Sequence, residues 1–118
     1  MIVPKLELKD SLFDPDSPDQ TPRWRNPRSD KPLYRVFLYL DGPGLPYVNA
    51  VTYVLHPTFK EPTRQVFRTY ANPHCKLELW TWGLFRVQAI VTDRDGNMLT
   101  LTHNLQYSSE FPKVTFAA

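Results

Sequence analysis

Two short stretches of the sequence carry the side chains that could do chemistry. Leu55-His56-Pro57-Thr58-Phe59 sets an imidazole, a hydroxyl and an aromatic ring side by side. Trp80-Thr81-Trp82-Gly83-Leu84-Phe85 sets three rings around a hydroxyl and a glycine. Aromatic walls combined with one or two hydrogen-bonding groups are the means by which a rigid scaffold presents a small binding pocket from its loops.

Catalysis fits these residues poorly. A nucleophile needs a base within hydrogen-bond reach. The sequence has no Gly-x-Ser-x-Gly elbow, and Cys75 follows His74 directly, where neighbouring side chains rarely face each other productively. The spacings of His56, His74 and His103 match no metal-ligand pattern, and a strand histidine such as His103 is expected to be a hydrogen-bonded core residue. No glycine-rich loop could cradle a phosphate. The expectation is a binding module, not an enzyme, with no cofactor and no metal.

The elements that position the two stretches read as β-strands. Lys5 to Leu8 alternates, and the first strand is predicted over Ile2 to Leu8 with Leu6 and Leu8 inward. From Asp10 to Pro32, prolines at 15, 18, 22, 27 and 32 predict a long extended connection without helix or ladder. Within it, Arg23-Trp24-Arg25-Asn26-Pro27-Arg28 reads either as a solvated loop with Trp24 pinned on the core or as an arm contacting an acidic partner or lidding the pocket.

Leu33 to Leu40 is strongly β-prone and stops at the turn Asp41-Gly42-Pro43-Gly44-Leu45-Pro46. Tyr47 to Leu55 follows, with Val51, Tyr53 and Leu55 on one face, and its end presents His56. A short strand over Gln65 to Tyr70 and another over Lys76 to Trp80 lead to the second stretch. After it, Phe85, Val87, Ala89 and Val91 share a face. The turn Asp93 to Asn97 then returns the chain along Leu99, Leu101, Leu105 and Tyr107. Residues 108–118 are a short tail.

Seven or eight short strands at regular spacing, with no amphipathic helix, predict an all-β immunoglobulin-like sandwich of antiparallel strands. A length of 118 residues makes this one domain. At 42% hydrophobic and 22% charged the chain is an ordinary globular one. Its net charge of +2 is too mild to imply direct nucleic-acid binding. One cysteine excludes an internal disulfide framework, no apolar run is long enough for a membrane span, and no signal-peptide layout is present, so a cytoplasmic location is expected.

VTYVLHPTFKEPTRQV followed by WTWGLFRVQAIV resembles the YEATS domain. That family's pattern is an apolar strand, Leu-His-x-Ser/Thr-Phe with Pro-x-Arg just after it, then an aromatic-Gly-x-Phe turn. The His-Pro-Thr-Phe form is similar to prokaryotic members, Lys5-Leu6-Glu7-Leu8 resembles the family's first strand, and the likeness covers most of residues 5 to 107.

The resemblance implies an immunoglobulin-like fold and a reader pocket for an acylated lysine, acetyl or crotonyl. In it, Phe59 and Trp82 match the two aromatics that sandwich the acyl group. Thr58 matches the hydroxyl that bonds the acyl amide, and His56 the imidazole that orients it. Gly83 and Phe85 complete the turn, and the Trp82 backbone N–H matches the donor to the acyl carbonyl. Thr81 stands where the family has glycine, placing a side chain beside the slot, and Asn104 stands where many members have an acid. An aromatic that eukaryotic members carry before the second strand has no counterpart here; Trp24 is nearest and cannot be aligned with it.

Implied partners are an acylated protein or peptide. The alternative, for a prokaryotic branch with no nucleosome to read, is a protein-interaction or ligand-sensing module acting with another signalling or defence protein. In that case Trp82 and Phe85 are core residues and His56 a satisfied turn histidine.

Overall fold

The computed structural model describes residues 5–18, 33–81 and 83–107, and the backbone of 24–25. Among them are eight strands: β1 (Glu7–Ser11), β2 (Trp24–Arg25), β3 (Leu33–Asp41), β4 (Val48–Val54), β5 (Thr63–Phe67), β6 (Leu77–Thr81), β7 (Arg86–Asp93) and β8 (Met98–Asn104). All pair antiparallel. They form two sheets packed as an immunoglobulin-like sandwich, one built on β3 and the other ordered β5-β4-β7-β8.

β3 organises the first sheet. β6 pairs along Tyr34 to Leu38, while β1 pairs with Phe37 to Asp41 and β2 with Leu33 and Tyr34. A strand has two edges, so β1 and β2 share the edge that β6 leaves open. Val36, Leu38 and Leu40 of β3 and Leu79 of β6 meet Val51 and Tyr53 of β4 and Val87, Ala89 and Val91 of β7 in one buried core. On the other face of β3, Phe37 is buried beneath the Arg35 guanidinium, 5.0 Å from its ring centre.

Several boundaries differ from the sequence reading. β1 runs through Ser11, two residues into the segment expected to be a connection, because Asp10 and Ser11 still find partners opposite Leu38 and Phe37. The two-residue β2 also lies inside that segment, which the prolines flank without interrupting at Trp24. β5 starts at Thr63, immediately after Pro62, and ends at Phe67, not Tyr70. Thr69 turns instead onto Asn72. The expectations for residues 2–4, most of 19–32 and 108–118 lie outside the described residues. None of the described helices is long and apolar enough to cross a membrane.

Two turns depend on backbone freedom. Gly42 has φ +116°, and a Cβ there would come 2.7 Å from the Lys5 carbonyl oxygen, so only glycine fits. Cys75 is a buried non-glycine residue at φ 52°. The Tyr53 hydroxyl donates to its carbonyl at 2.6 Å, and the Asn72 side chain holds Lys76 beside it. Burial pushes the Cys75 thiol up to about 11, so it is a packed thiol and not a thiolate at neutral pH.

Lys76 ties the segment after β1 to the sandwich through Asp14 at 2.8 Å, next to Asp16 on His74 at 2.5 Å. Burial tends to raise the Asp14 carboxyl, but the hydrogen bonds from Lys76 and the Asp16 N–H outweigh it and hold the group below the usual range. A carboxyl depressed in the folded state stabilises the fold above its unfolded value, near 4, and that contribution disappears as pH falls through the folded value. Stability should therefore decline below about pH 4. Lys76→Met should flatten that decline in acid titrations followed by fluorescence.

Candidate functional site

The two stretches meet at one end of the sandwich, in the β4–β5 and β6–β7 connections. Pro62 has no N–H to offer a ladder, but its carbonyl accepts from Leu55 N at 2.6 Å and closes the first loop into a compact lobe. Inside the lobe, Phe59 N donates to the His56 carbonyl at 3.1 Å, a tight turn that stands the Phe59 ring against the sandwich.

His56 Nδ1 lies 2.9 Å from Thr58 Oγ1 and 3.3 Å from the Thr58 backbone N. The backbone N–H can only donate, so Nδ1 is the acceptor and the imidazole proton sits on Nε2. Thr58 Oγ1 then donates to the same lone pair, which leaves its own lone pairs pointing to solvent. Both side chains are exposed.

The second connection supplies the facing ring. The centre of the Phe85 ring is 5.3 Å from that of Phe59, tilted 56°, and 6.1 Å from His56. Phe59 and Phe85 are half-buried and rest on the core. Thr81 is buried, and its hydroxyl lies 3.4 Å from the Gly83 N, so it is directed at the turn backbone. Leu105 N donates to the Phe85 carbonyl at 3.0 Å, and the Tyr107 hydroxyl donates to the Gly83 carbonyl at 3.0 Å. Burial first, and then Tyr34 and Asp10 nearby, push the Tyr107 hydroxyl up to about 12, so it remains a donor.

Thus His56, Thr58, Phe59 and Phe85 come together, while Thr81 and Gly83 bond each other in the turn that leads to Phe85. Trp82 lies outside the described residues, as does the side chain of Trp24. The backbone of Trp24 pairs with Tyr34, whose other neighbour is Thr81, so Trp24 stands on the sheet that carries the second stretch. Among the described residues no group of histidine, cysteine and carboxylate side chains could hold a metal.

Gly83 is open space. Its φ is not positive, and a Cβ there would meet nothing within 4 Å. Neither strain nor packing demands a glycine, so Gly83→Ala should leave stability unchanged or raise it by up to about 1 kcal/mol. If the space belongs to a ligand, the same substitution should weaken binding severalfold. Thermal melts and a binding titration on one preparation check both halves.

Three contributors had no site role in the sequence reading, although Arg64 stands in its Pro-x-Arg motif. Tyr107 was assigned to the core face, but a buried tyrosine needs a partner for its hydroxyl, and that need was the available signal. Arg64 places its guanidinium 6.0 Å from the Phe59 ring centre and its Nε 2.9 Å from the Glu61 carbonyl. Asp10 reaches His103 and Gln106 across the sandwich edge, 93 and 96 residues away along the chain, and nothing local announces it.

A cavity of about 730 Å³ lies at the opposite end, lined by Leu6, Tyr47, Val48, Val91, Met98 and Leu99 among others. It contains none of the residues of either stretch.

The sequence profile of the prokaryotic YEATS domain matches residues 34–106. Transcription initiation factor TFIID subunit 14 of Schizosaccharomyces pombe is 35% identical over 65 residues, 54% of this chain and 25% of that protein. The chain thus spans about a quarter of the length of that curated relative. Among solved structures, the Yaf9 YEATS domain recognizing an H3K122suc peptide covers 94% of this chain and 80% of its own, with a TM-score of 0.58 and 14% identity. The Yaf9 YEATS domain bound to H3K27ac covers 90% and 76%, with a TM-score of 0.54 and 16% identity. At such identities the likeness to those structures is one of fold.

Proposed function

The chain belongs to the prokaryotic YEATS domain family, and from that premise we propose that it is a non-catalytic reader taking an acylated lysine, or a similar flat neutral group, between Phe59 and Trp82. The observation that carries the reading is the His56–Thr58 pair. An imidazole accepts the Thr58 hydroxyl proton at 2.9 Å and leaves the oxygen free to accept from an acyl amide N–H beside the Phe59 and Phe85 rings.

The physics favours a neutral ligand. A planar amide stacks on aromatic rings, and in an apolar slot it must be hydrogen-bonded or lose about 1–3 kcal/mol. Thr58 Oγ1 supplies the acceptor, and in this reading the Trp82 backbone N–H supplies the donor to the acyl carbonyl. Unmodified lysine would enter with its charge unpaired. Neither stretch contains an acid; Glu61 is the closest in sequence and lies past the aromatic turn, with its backbone carbonyl held by Arg64. The order of binding is crotonyl, then acetyl, then unmodified lysine, to an acylated protein or peptide in a cytoplasmic setting.

A thermal-shift comparison of short acyl-lysine peptides with the same peptides unmodified tests this. Stabilisation by the acylated set alone supports it. Equal shifts in both sets reject it for a sensing module that uses another surface. The cavity at the Val48 end favours that second reading.

A further inference from the structure

We propose that the acyl-lysine taken by this slot is presented in an acidic sequence, an inference that rests on the reader assignment. Three cations flank the site. Lys60 is exposed directly after Phe59, Arg64 stands against the Phe59 ring, and Arg86 is exposed directly after Phe85. One described acid, Glu61, lies among them, and its carboxylate forms no ion pair with Lys60, Arg64 or Arg86.

The clustering of these charges around one slot is what gives this weight. On the first sheet, Lys9 is paired with Asp41 at 3.2 Å and Arg35 with Glu78 at 3.7 Å, and just before β6 Lys76 is paired with Asp14 at 2.8 Å. Among the described residues, Lys60, Arg64 and Arg86 form no ion pair, and neither do Lys5, Arg68 and Arg94 away from the slot; what sets the slot end apart is that its three cations stand around one site with one acid. Charges within about one Debye length, roughly 8 Å at physiological salt, act on a bound peptide together. A basic flank beside the acyl-lysine would face like charge, and an acidic flank would be drawn in, a selection that acts on both encounter and register. The cations are distributed over a loop and two strands around a slot for one side chain. Recognition of a phosphate backbone instead uses many cations along a continuous track, so the arrangement favours an acidic peptide over a nucleic acid.

Fluorescence anisotropy on the full chain separates the possibilities, using acetyl-lysine peptides flanked by Glu and Asp, the same peptides flanked by Lys and Arg, and both sets unacetylated. The expected result is about tenfold tighter binding of the acidic acetylated peptide at low salt, an advantage that shrinks as salt is added. Lys60→Gln and Arg86→Gln, both at exposed positions, should each reduce that preference about threefold with unchanged melting. Arg64→Gln should do so as well.

Equal affinity of the two acetylated peptides would overturn the acidic-partner inference and leave the reader assignment standing. Equal affinity of acetylated and unacetylated acidic peptides would remove the reader assignment, and the inference with it. Displacement of the acidic peptide by a single-stranded oligonucleotide at comparable concentration would overturn it in favour of a nucleic acid.

Discussion

Asp10→Ala is expected to lower the unfolding free energy by about 2–4 kcal/mol, a large fraction of what a domain of this size has. The Asp10 side chain is 1% exposed. It accepts from His103 Nε2 at 2.6 Å and from the Gln106 N–H at 2.9 Å to one carboxylate oxygen and 3.0 Å to the other. These bonds join β1 of one sheet to the end of β8 in the other, closing a side of the sandwich that no ladder closes. Removing the carboxylate leaves a part-buried imidazole N–H and the Gln106 N–H without their acceptor and opens a cavity where the buried side chain stood. Urea melts should show the loss at neutral pH. A loss under about 0.5 kcal/mol would mean that water replaces the carboxylate at no cost.

The same substitution should reach the site. Gln106 precedes Tyr107, whose hydroxyl braces the Gly83 carbonyl, and Leu105 holds Phe85. Freeing that segment should loosen the turn that carries the second stretch, so weaker ligand binding is expected even well below the melting temperature.

Phe59→Ala is expected to reduce acyl-peptide binding by at least about thirtyfold, the scale of a central aromatic anchor. Part of any loss could come from the fold, since Phe59 is half-buried on the core beside Phe85. Phe59→Leu separates the contributions because it keeps apolar volume and removes the flat ring. Leu should restore most of the melting temperature while leaving binding at least about tenfold down. Binding restored along with stability would show that the ring is structural and that the slot is not a stacking site.

How much of this was legible in the sequence follows from the range of the forces involved. The period of two from Leu33 to Tyr107 specified the sandwich, because alternation is set by neighbours along one strand. Val51 and Tyr53, and Val87, Ala89 and Val91, point inward as that period requires. Phe37 shows its limit. It lies on the face of β3 turned away from the main core, yet it is buried, because Arg35 covers it. No pattern in the run LYRVFLYL distinguishes a second buried face from an exposed one.

At the site, the juxtaposition of His56, Thr58 and Phe59 could be read from three adjacent positions and a proline. The approach of Phe85 to Phe59 needed two loops to converge. The Tyr107 and Asp10 contacts depend on the register of strands distant in the chain, which a single sequence does not contain, whereas Arg64 meets Glu61 and Phe59 within one loop. Cys75 at positive φ was equally hidden, since its conformation is imposed by Tyr53 and Asn72 and not by its own preference.

The most direct measurement of the central claim is an NMR titration of the labelled chain with one peptide in two forms, lysine crotonylated and lysine free. The reader account predicts that the crotonylated form shifts the amides of residues 56–59 and 81–85 in a saturable way. The free form should shift them little or not at all at the same concentration. Equal shifts from both forms, or saturable shifts confined to residues outside those two stretches, would contradict it.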